Sequence, residues 1–314
     1  MERLQIIIAS TGRSGTTWLQ LLMADLYNAA ALGARGWKPE TGLFVPAATG
    51  SKVNHLVAGA QGMLYRTWPE FWSYLPGRAV VNAHWHAYPE IVEELQARGV
   101  PVVTLARHPF DIAISHLAWV NRYDQVNLDI DHLKGLAPTS PGFVDFASGE
   151  LAQWLFSITR GWWTREWVHR VRYEELVARP LPVLAQLAEE IGAPPALSVE
   201  DTLARDERRG LRTDRLSRWA RIIPGRHRDA LLDLWSGAVR KGGRGAYAER
   251  QRQRKHYWQG RPGLWRSLLP AEQAEEIGRA HAELLEFFGY DCDPDPALTP
   301  GQADANWRAM MDAG

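Results

Sequence analysis

Cysteine is almost absent from this chain: Cys292 is the one thiol in 314 residues. That excludes an internal disulfide framework and suits a reducing compartment, so a cytoplasmic protein is the expectation. Long hydrophobic runs are absent too. No segment reaches the roughly 18 apolar residues of a membrane-spanning helix. Residues 1–8 pass directly into a strand-like pattern, without the charged and apolar regions of an export signal. Net charge is absent, since 36 basic residues balance 36 acidic ones. There is no repeat and no low-complexity tract. With 46% hydrophobic and 23% charged residues, the composition excludes a disordered chain and provides for a packed core.

The zero balance hides an asymmetry. Residues 205–266 hold 18 Lys/Arg against 6 Asp/Glu, so the remainder is acidic by the same margin. Such a segment is either a solvated arginine-rich face or a region that folds over an anionic ligand. Nucleic acid is not the expected partner, because the excess is confined and the rest of the chain would repel it.

Strand patterns occur at Leu4–Ala9, Ala79–Asn82, Val100–Ala106 and Val168–Arg172. Helical periodicity is read over Thr17–Leu32, Pro89–Arg98, Asp111–Val120, Pro182–Ile191 and Pro270–Gly289. The last carries Ile277, His281, Leu284 and Phe288 on one stripe. Short apolar strands alternating with helices predict a parallel sheet covered on both faces. Residues Lys134–Gly149 read as a surface loop, and the Pro/Asp-rich tail after Asp291 as loosely ordered. No convincing linker divides the chain, so residues 1–314 are read as one domain with helical insertions.

The stretch IIIASTGRSGTTWLQLLM, residues 6–23, runs from an apolar strand through a Gly/Ser/Thr turn into an amphipathic helix. That is the layout of a phosphate-binding loop, in which successive N–H groups and the helix N-terminus hold an anion. Laid on the pattern G-x-x-x-x-G-K-[ST], Ser10 and Gly15 take the glycine positions, Thr16 the lysine and Thr17 the hydroxyl. The lysine that reaches a γ-phosphate is thus missing, and Arg13 sits inside the loop. No strand ends in a clear magnesium-binding aspartate, and no metal site is expected. The loop suits a nucleotide that has no transferable γ-phosphate.

Arg13-Ser14-Gly15-Thr16-Thr17-Trp18 resembles the 5′-phosphosulfate motif of the sulfotransferases that use 3′-phosphoadenosine 5′-phosphosulfate (PAPS). That family shows P-K-S-G-T-T-W or P-R-S-G-T-T-W; here Gly12 stands at the proline. A second stretch, VVTLARHPFDIAISHLAW, is similar to the family's 3′-phosphate motif through Arg107, Pro109, Asp111 and Ser115. An arginine offers a planar fork to phosphate, and a helix-borne serine adds a hydroxyl. A third, VRYEELVARP, resembles the family's tyrosine–acid–acid–leucine stretch. The resemblance implies that Tyr173 lies near the adenine and that Trp18 stacks on it. The family ends in R-K-G-x-x-G-x-W, a loop closing over the 3′-phosphate. Two stretches compete for that place: RKGGRGAY at 240–247 and WQGRPGLWRSLLPAEQ at 258–273. The second is preferred because a helix start follows at once. Gly260 and Arg261 then join the nucleotide site. Trp258 occupies the arginine position, and the basic partner comes from Arg261, Lys255 or Arg254.

Transfer to a hydroxyl needs a group that takes the acceptor's proton, and histidine is the usual choice near neutral pH. In VVNAHWHAYP, Asn82 and Ala83 replace the lysine and threonine of the family's K-T-H, and His84 keeps the histidine. His86, two residues on, competes with it, because on a continuing strand both point to one face. The resemblance implies a three-layer α/β sandwich around a central parallel sheet with a P-loop-like phosphate-binding loop. It implies a PAPS-dependent sulfotransferase, with 3′,5′-adenosine bisphosphate as product, His84 as base and Arg13 as the cation on the leaving group. The acceptor is expected to be a small-molecule hydroxyl, contacted from 28–78 and 120–165, where Trp37, Phe44, Trp68, Phe71, Trp72, Trp154, Trp162 and Trp163 lie. Two rival readings stand beside it: a P-loop kinase-like phosphotransferase, and a non-catalytic nucleotide-binding module on the same scaffold. The oligomeric state is not legible.

Overall fold

The computed structural model describes residues 3–34, 37–38, 43–44, 68–122, 130–208 and 261–312. Strand β1 (Leu4–Ala9) reads LQIIIA. It sends Ile6 and Ile8 to one face of a sheet and Ile7 and Ala9 to the other, and all four have no exposed surface. A strand that is buried on both faces must be apolar throughout, which is why this one reads as an unbroken run. It pairs in parallel with β5 (Arg78–Ala83) on one side and β6 (Val102–Ala106) on the other. Beyond them lie β2 (Ala30–Ala34) and β7 (His169–Arg172), giving the order β2-β5-β1-β6-β7, parallel throughout. Two-residue strands β3 (Trp37–Lys38) and β4 (Leu43–Phe44) form a separate antiparallel pair.

Helices cover both faces. Helices α1 (Thr16–Leu26) and α8 (Pro180–Ile191) place Leu19, Leu22, Met23, Leu184 and Leu187 against Ile6, Ile8, Val80, Val103 and Leu105. On the opposite face, α2 (Trp68–Tyr74) and α3 (Pro89–Ala97) bring Phe71, Trp72, Ile91 and Leu95 against Ile7, Ala79 and Val81. The expected three-layer α/β sandwich is therefore present. A further cluster joins α4 (Pro109–Arg122), α5 (Pro141–Ser148) and α6 (Glu150–Trp163) to the carboxy-terminal helices α9 (Ala271–Ala280), α10 (Ala282–Phe288) and α11 (Pro300–Asp312).

Four expectations need correction. The first helix stops at Leu26 rather than Leu32, because Asn28 adopts φ 47° and the following alanines pair as the edge strand β2. The loop expected over 134–149 contains α5, which starts with Pro141 and buries Phe143, Val144, Phe146 and Ala147. The single helix expected over 270–289 is two, broken at His281, whose Nε2 donates to the carbonyl of Ala147 at 2.6 Å. The stripe of Ile277, His281, Leu284 and Phe288 is nonetheless buried.

The tail is not loosely ordered. Thr299 and Gln302 cap α11 reciprocally, and Ala303, Trp307 and Met310 bury one helical face at a spacing of four and three residues. Most of the Pro/Asp content that suggested disorder, residues 293–296, lies in the turn that leads into α11.

Candidate active site

Among the described residues, the site residues assigned from the sequence sit at or just beyond the carboxyl end of a parallel strand, except Trp18 in α1, Ser115 in α4 and Arg261. Ser10–Gly15 follow β1, His84 follows β5, Arg107 follows β6, and Tyr173 opens α7 (Tyr173–Ala178) after β7. In open parallel sheets this edge is where ligands bind, because the strand-to-helix turns diverge there.

The loop is built from below. Ser10 Oγ accepts the N–H of Leu105 at 2.6 Å, and Ser14 Oγ donates to the Thr11 carbonyl at 2.7 Å. Thr11 donates its N–H to Thr159 Oγ1 at 2.9 Å and its hydroxyl to the Leu155 carbonyl at 2.8 Å, so α6 props the turn. Arg13 holds φ 67°, a left-handed conformation that non-glycine residues rarely adopt. Both its backbone and its side chain are engaged. Arg107 Nη1 donates to the Arg13 carbonyl at 2.9 Å, and Arg13 Nε donates to Ser115 Oγ at 3.1 Å.

Gly15 caps α1 with φ 99°, and a Cβ there would meet ring atoms of Tyr173 at 2.5 and 2.6 Å. The position excludes a side chain twice over, by its backbone angle and by the aromatic ring. No side chain caps α1, so its first N–H groups face the loop ready for an anion. Thr16, at the position of the missing lysine, is buried; its hydroxyl accepts from Asn82 Nδ2 at 3.3 Å. Thr17 and Trp18 are half-buried, and Trp18 Nε1 donates to Asp206 Oδ2 at 2.9 Å.

Arg107 and Ser115 both reach the loop, as the Arg13 contacts show. The Arg107 guanidinium also stacks on Tyr173, 4.5 Å from the ring centre, and its Nε has no partner among the described residues. Tyr173 is only 3% exposed, wedged between Gly15 and Arg107. The carboxylate of Asp111 takes the N–H of Gly263 at 2.7 Å and that of Trp265 at 3.1 Å. That ties the 261–265 turn to the Arg107 motif. Arg261 is exposed on this turn. Gly260, Lys255, Arg254, Trp258 and the competing stretch 240–247 lie outside the described residues.

The two histidines separate cleanly. Strand β5 ends at Ala83, so the premise that both point to one face does not hold. His84 Nδ1 lies 2.7 Å from the carbonyl of Ser10. A carbonyl only accepts, so Nδ1 carries a proton, and in the neutral ring the lone pair lies on Nε2. The Cε1 and Nε2 of His84 lie 3.9 Å from the point where a Cβ on Gly12 would sit. His86 turns instead to α6, with its ring 4.5 Å from that of Trp154, and burial lowers its pKa to about 4.

Sequence reasoning missed His116. It is buried on α4, one residue after Ser115, and neither ring nitrogen has a hydrogen-bond partner among the described residues. Burial first, then the charges of Arg13, His84 and Arg107, lower its pKa to about 3. An unsatisfied buried polar group costs about 1–3 kcal/mol, so its place beside the loop calls for a reason. A lone histidine within ISHLAW carries no sequence signal of that proximity.

The chain matches the model of the sulfotransferase domain over residues 3–218. No curated protein matches it. Among solved structures it is similar to a mouse sulfotransferase complexed with PAP, at 17% identity and TM-score 0.44, covering 65% of each chain. It is also similar to a retinol dehydratase in complex with retinol and PAP, at 16% identity and TM-score 0.49, covering 91% of this chain and 82% of that one. A sulfotransferase from Alicyclobacillus acidocaldarius matches at 16% identity and TM-score 0.34, covering 71% and 96%. The family match takes in β1, the loop, His84, Arg107, Ser115 and Tyr173, and on it the chain belongs to the sulfotransferase family.

Proposed function

We propose that the chain moves a sulfuryl group from PAPS to the hydroxyl of a small-molecule acceptor. The observation that carries this is the 2.7 Å contact of His84 Nδ1 with the Ser10 carbonyl, which in the neutral ring puts the lone pair on Nε2, beside Gly12. The 5′-phosphosulfate lies on the N–H groups that open α1 and on the hydroxyls of Thr16 and Thr17. Arg107 and Ser115, with the 261–265 turn, take the 3′-phosphate, and Trp18 and Tyr173 flank the adenine. His84 Nε2 accepts the acceptor's proton as the acceptor oxygen bonds to sulfur. The S–O bond to the 5′-phosphate breaks with its electron pair on the phosphate oxygen, where Arg13 stabilises the charge. The product is 3′,5′-adenosine bisphosphate (PAP).

Calorimetric titration with PAP in EDTA tests the reading. Binding at micromolar to submillimolar ligand is expected without divalent metal. No heat and no thermal shift at millimolar PAP would remove the nucleotide site, and with it the reaction.

A further inference from the structure

The reaction above uses one imidazole, and a second lies beside it. The Cε1 of His116 is 3.7 Å from the position a Cβ on Gly12 would take, and His84 borders the same point from just past β5. Cε1 is bonded to both ring nitrogens, so the polar edge of His116 faces the loop. Two imidazole edges flank one spot, at van der Waals distance from the point where a Cβ on Gly12 would sit.

The fixed charges that bear on His116 are those of Arg13 and Arg107, and they act in the same direction as its burial. A neutral ring beside these cations keeps one N–H, and neither ring nitrogen has a partner among the described residues. The group that suits it is an oxygen of a bound anion. The 5′-phosphate is already provided for by the N–H groups at the start of α1, further along the loop. The atom that comes to rest nearest the base and Gly12 is the reacting one. Asn82, at the position of the family's lysine, is turned to Thr16 and brings no cation.

We propose that His116 binds the transferring group: its ring N–H donates to a non-bridging sulfuryl oxygen held between Gly12, Arg13 and His84. This assignment rests on the sulfuryl-transfer reading and supplies a donor where the family's lysine is missing.

PAPS and PAP differ by the sulfuryl group alone, so the pair isolates the contact. Wild type and His116→Phe are titrated with each nucleotide in EDTA, without acceptor. Loss of a hydrogen bond to an anion predicts PAPS weakened about tenfold or more and PAP held within about twofold. His116→Asn or His116→Gln, which keeps a donor, recovers part of the loss. In wild type the His116 imidazole NMR signals shift with PAPS beyond their shift with PAP. Equal weakening of both nucleotides makes His116 a support of the loop and overturns the proposal, as does no weakening of either. Should His116→Phe fail to fold, identical wild-type NMR shifts with both nucleotides overturn it. Failure of wild type to bind either nucleotide sinks the sulfuryl-transfer reading itself, a result distinct from binding of both without a His116 effect.

Discussion

His84 and His86 are two positions apart and have opposite surroundings. His84 is exposed and tied by Nδ1 to a loop carbonyl at the carboxyl edge of the sheet, where the nucleotide is proposed to bind. His86 is packed between Trp154 and Tyr88, with Nε2 buried and unpartnered among the described residues. His84→Ala should therefore lower transfer by about 10²–10⁴-fold, the usual cost of losing a general base, with PAP binding nearly intact. His86→Ala should leave transfer within about tenfold. Steady-state rates of the two variants decide it, and the reverse ranking would make His86 the base. The pair was legible as a pair from residue type and spacing. The choice between them was not, because it depends on where β5 stops and on a carbonyl 74 residues away. His116 was illegible for a similar reason: its meaning lies in its distance to Gly12 across more than a hundred residues. Arg107 and Tyr173 could be picked out as candidates from their motifs, but not the stacking that places one over the other against Gly15.

At the scale of elements, the central strands were readable because a parallel strand buried on both faces leaves an unbroken apolar run. Edge strand β2 was not, since Ala-Ala-Leu-Gly-Ala carries stronger helical than strand propensity and only pairing with β5 decides it. Helices α5 and α11 were hidden by prolines, which mark the first helical turn as readily as a loop. The contact between α4 and the 263–265 turn could not be read at all, although both of its ends could. Asp111 is 1% exposed and gives both carboxylate oxygens to backbone N–H groups. A hydrogen bond to a charged group contributes about 1.5–3 kcal/mol, and its loss strands two donors. Asp111→Ala should thus lower unfolding stability by about 3 kcal/mol or more, and Asp111→Asn, which keeps one acceptor, by less. PAP affinity should fall in parallel, because the turn closes on the side where the 3′-phosphate is assigned. Chemical denaturation and titration measure the two effects. Unchanged stability in Asp111→Ala would mean that the turn is held by Trp265 packing alone.

On the scale of the whole molecule, histidine burial gives the fold a pH dependence with a definite sign. His86 is lowered to about 4 and His116 to about 3, and His108 and His281 are lowered too, each chiefly by burial. In the unfolded chain all four return to the ordinary value near 6.5. Between the folded and unfolded values the unfolded chain binds protons that the native chain refuses. Stability is then fully present above about pH 6.5 and is lost as pH falls toward 4 and 3. Asp206 acts in the opposite direction, since burial raises its pKa, but it starts from the carboxylate range and opposes the histidines only at the acid end. Each refused proton adds a slope of about 1.4 kcal/mol per pH unit. His86 is partly open to water and contributes less than its full share, whereas His116 is enclosed. Urea unfolding of the nucleotide-free protein from pH 7 to pH 5 should show stability falling by more than one such slope. His116→Phe should flatten the profile by about one proton, or ~1.4 kcal/mol per pH unit at its steepest. A profile that is flat in wild type, or unaltered in the variant, would show that these imidazoles take up protons inside the native fold.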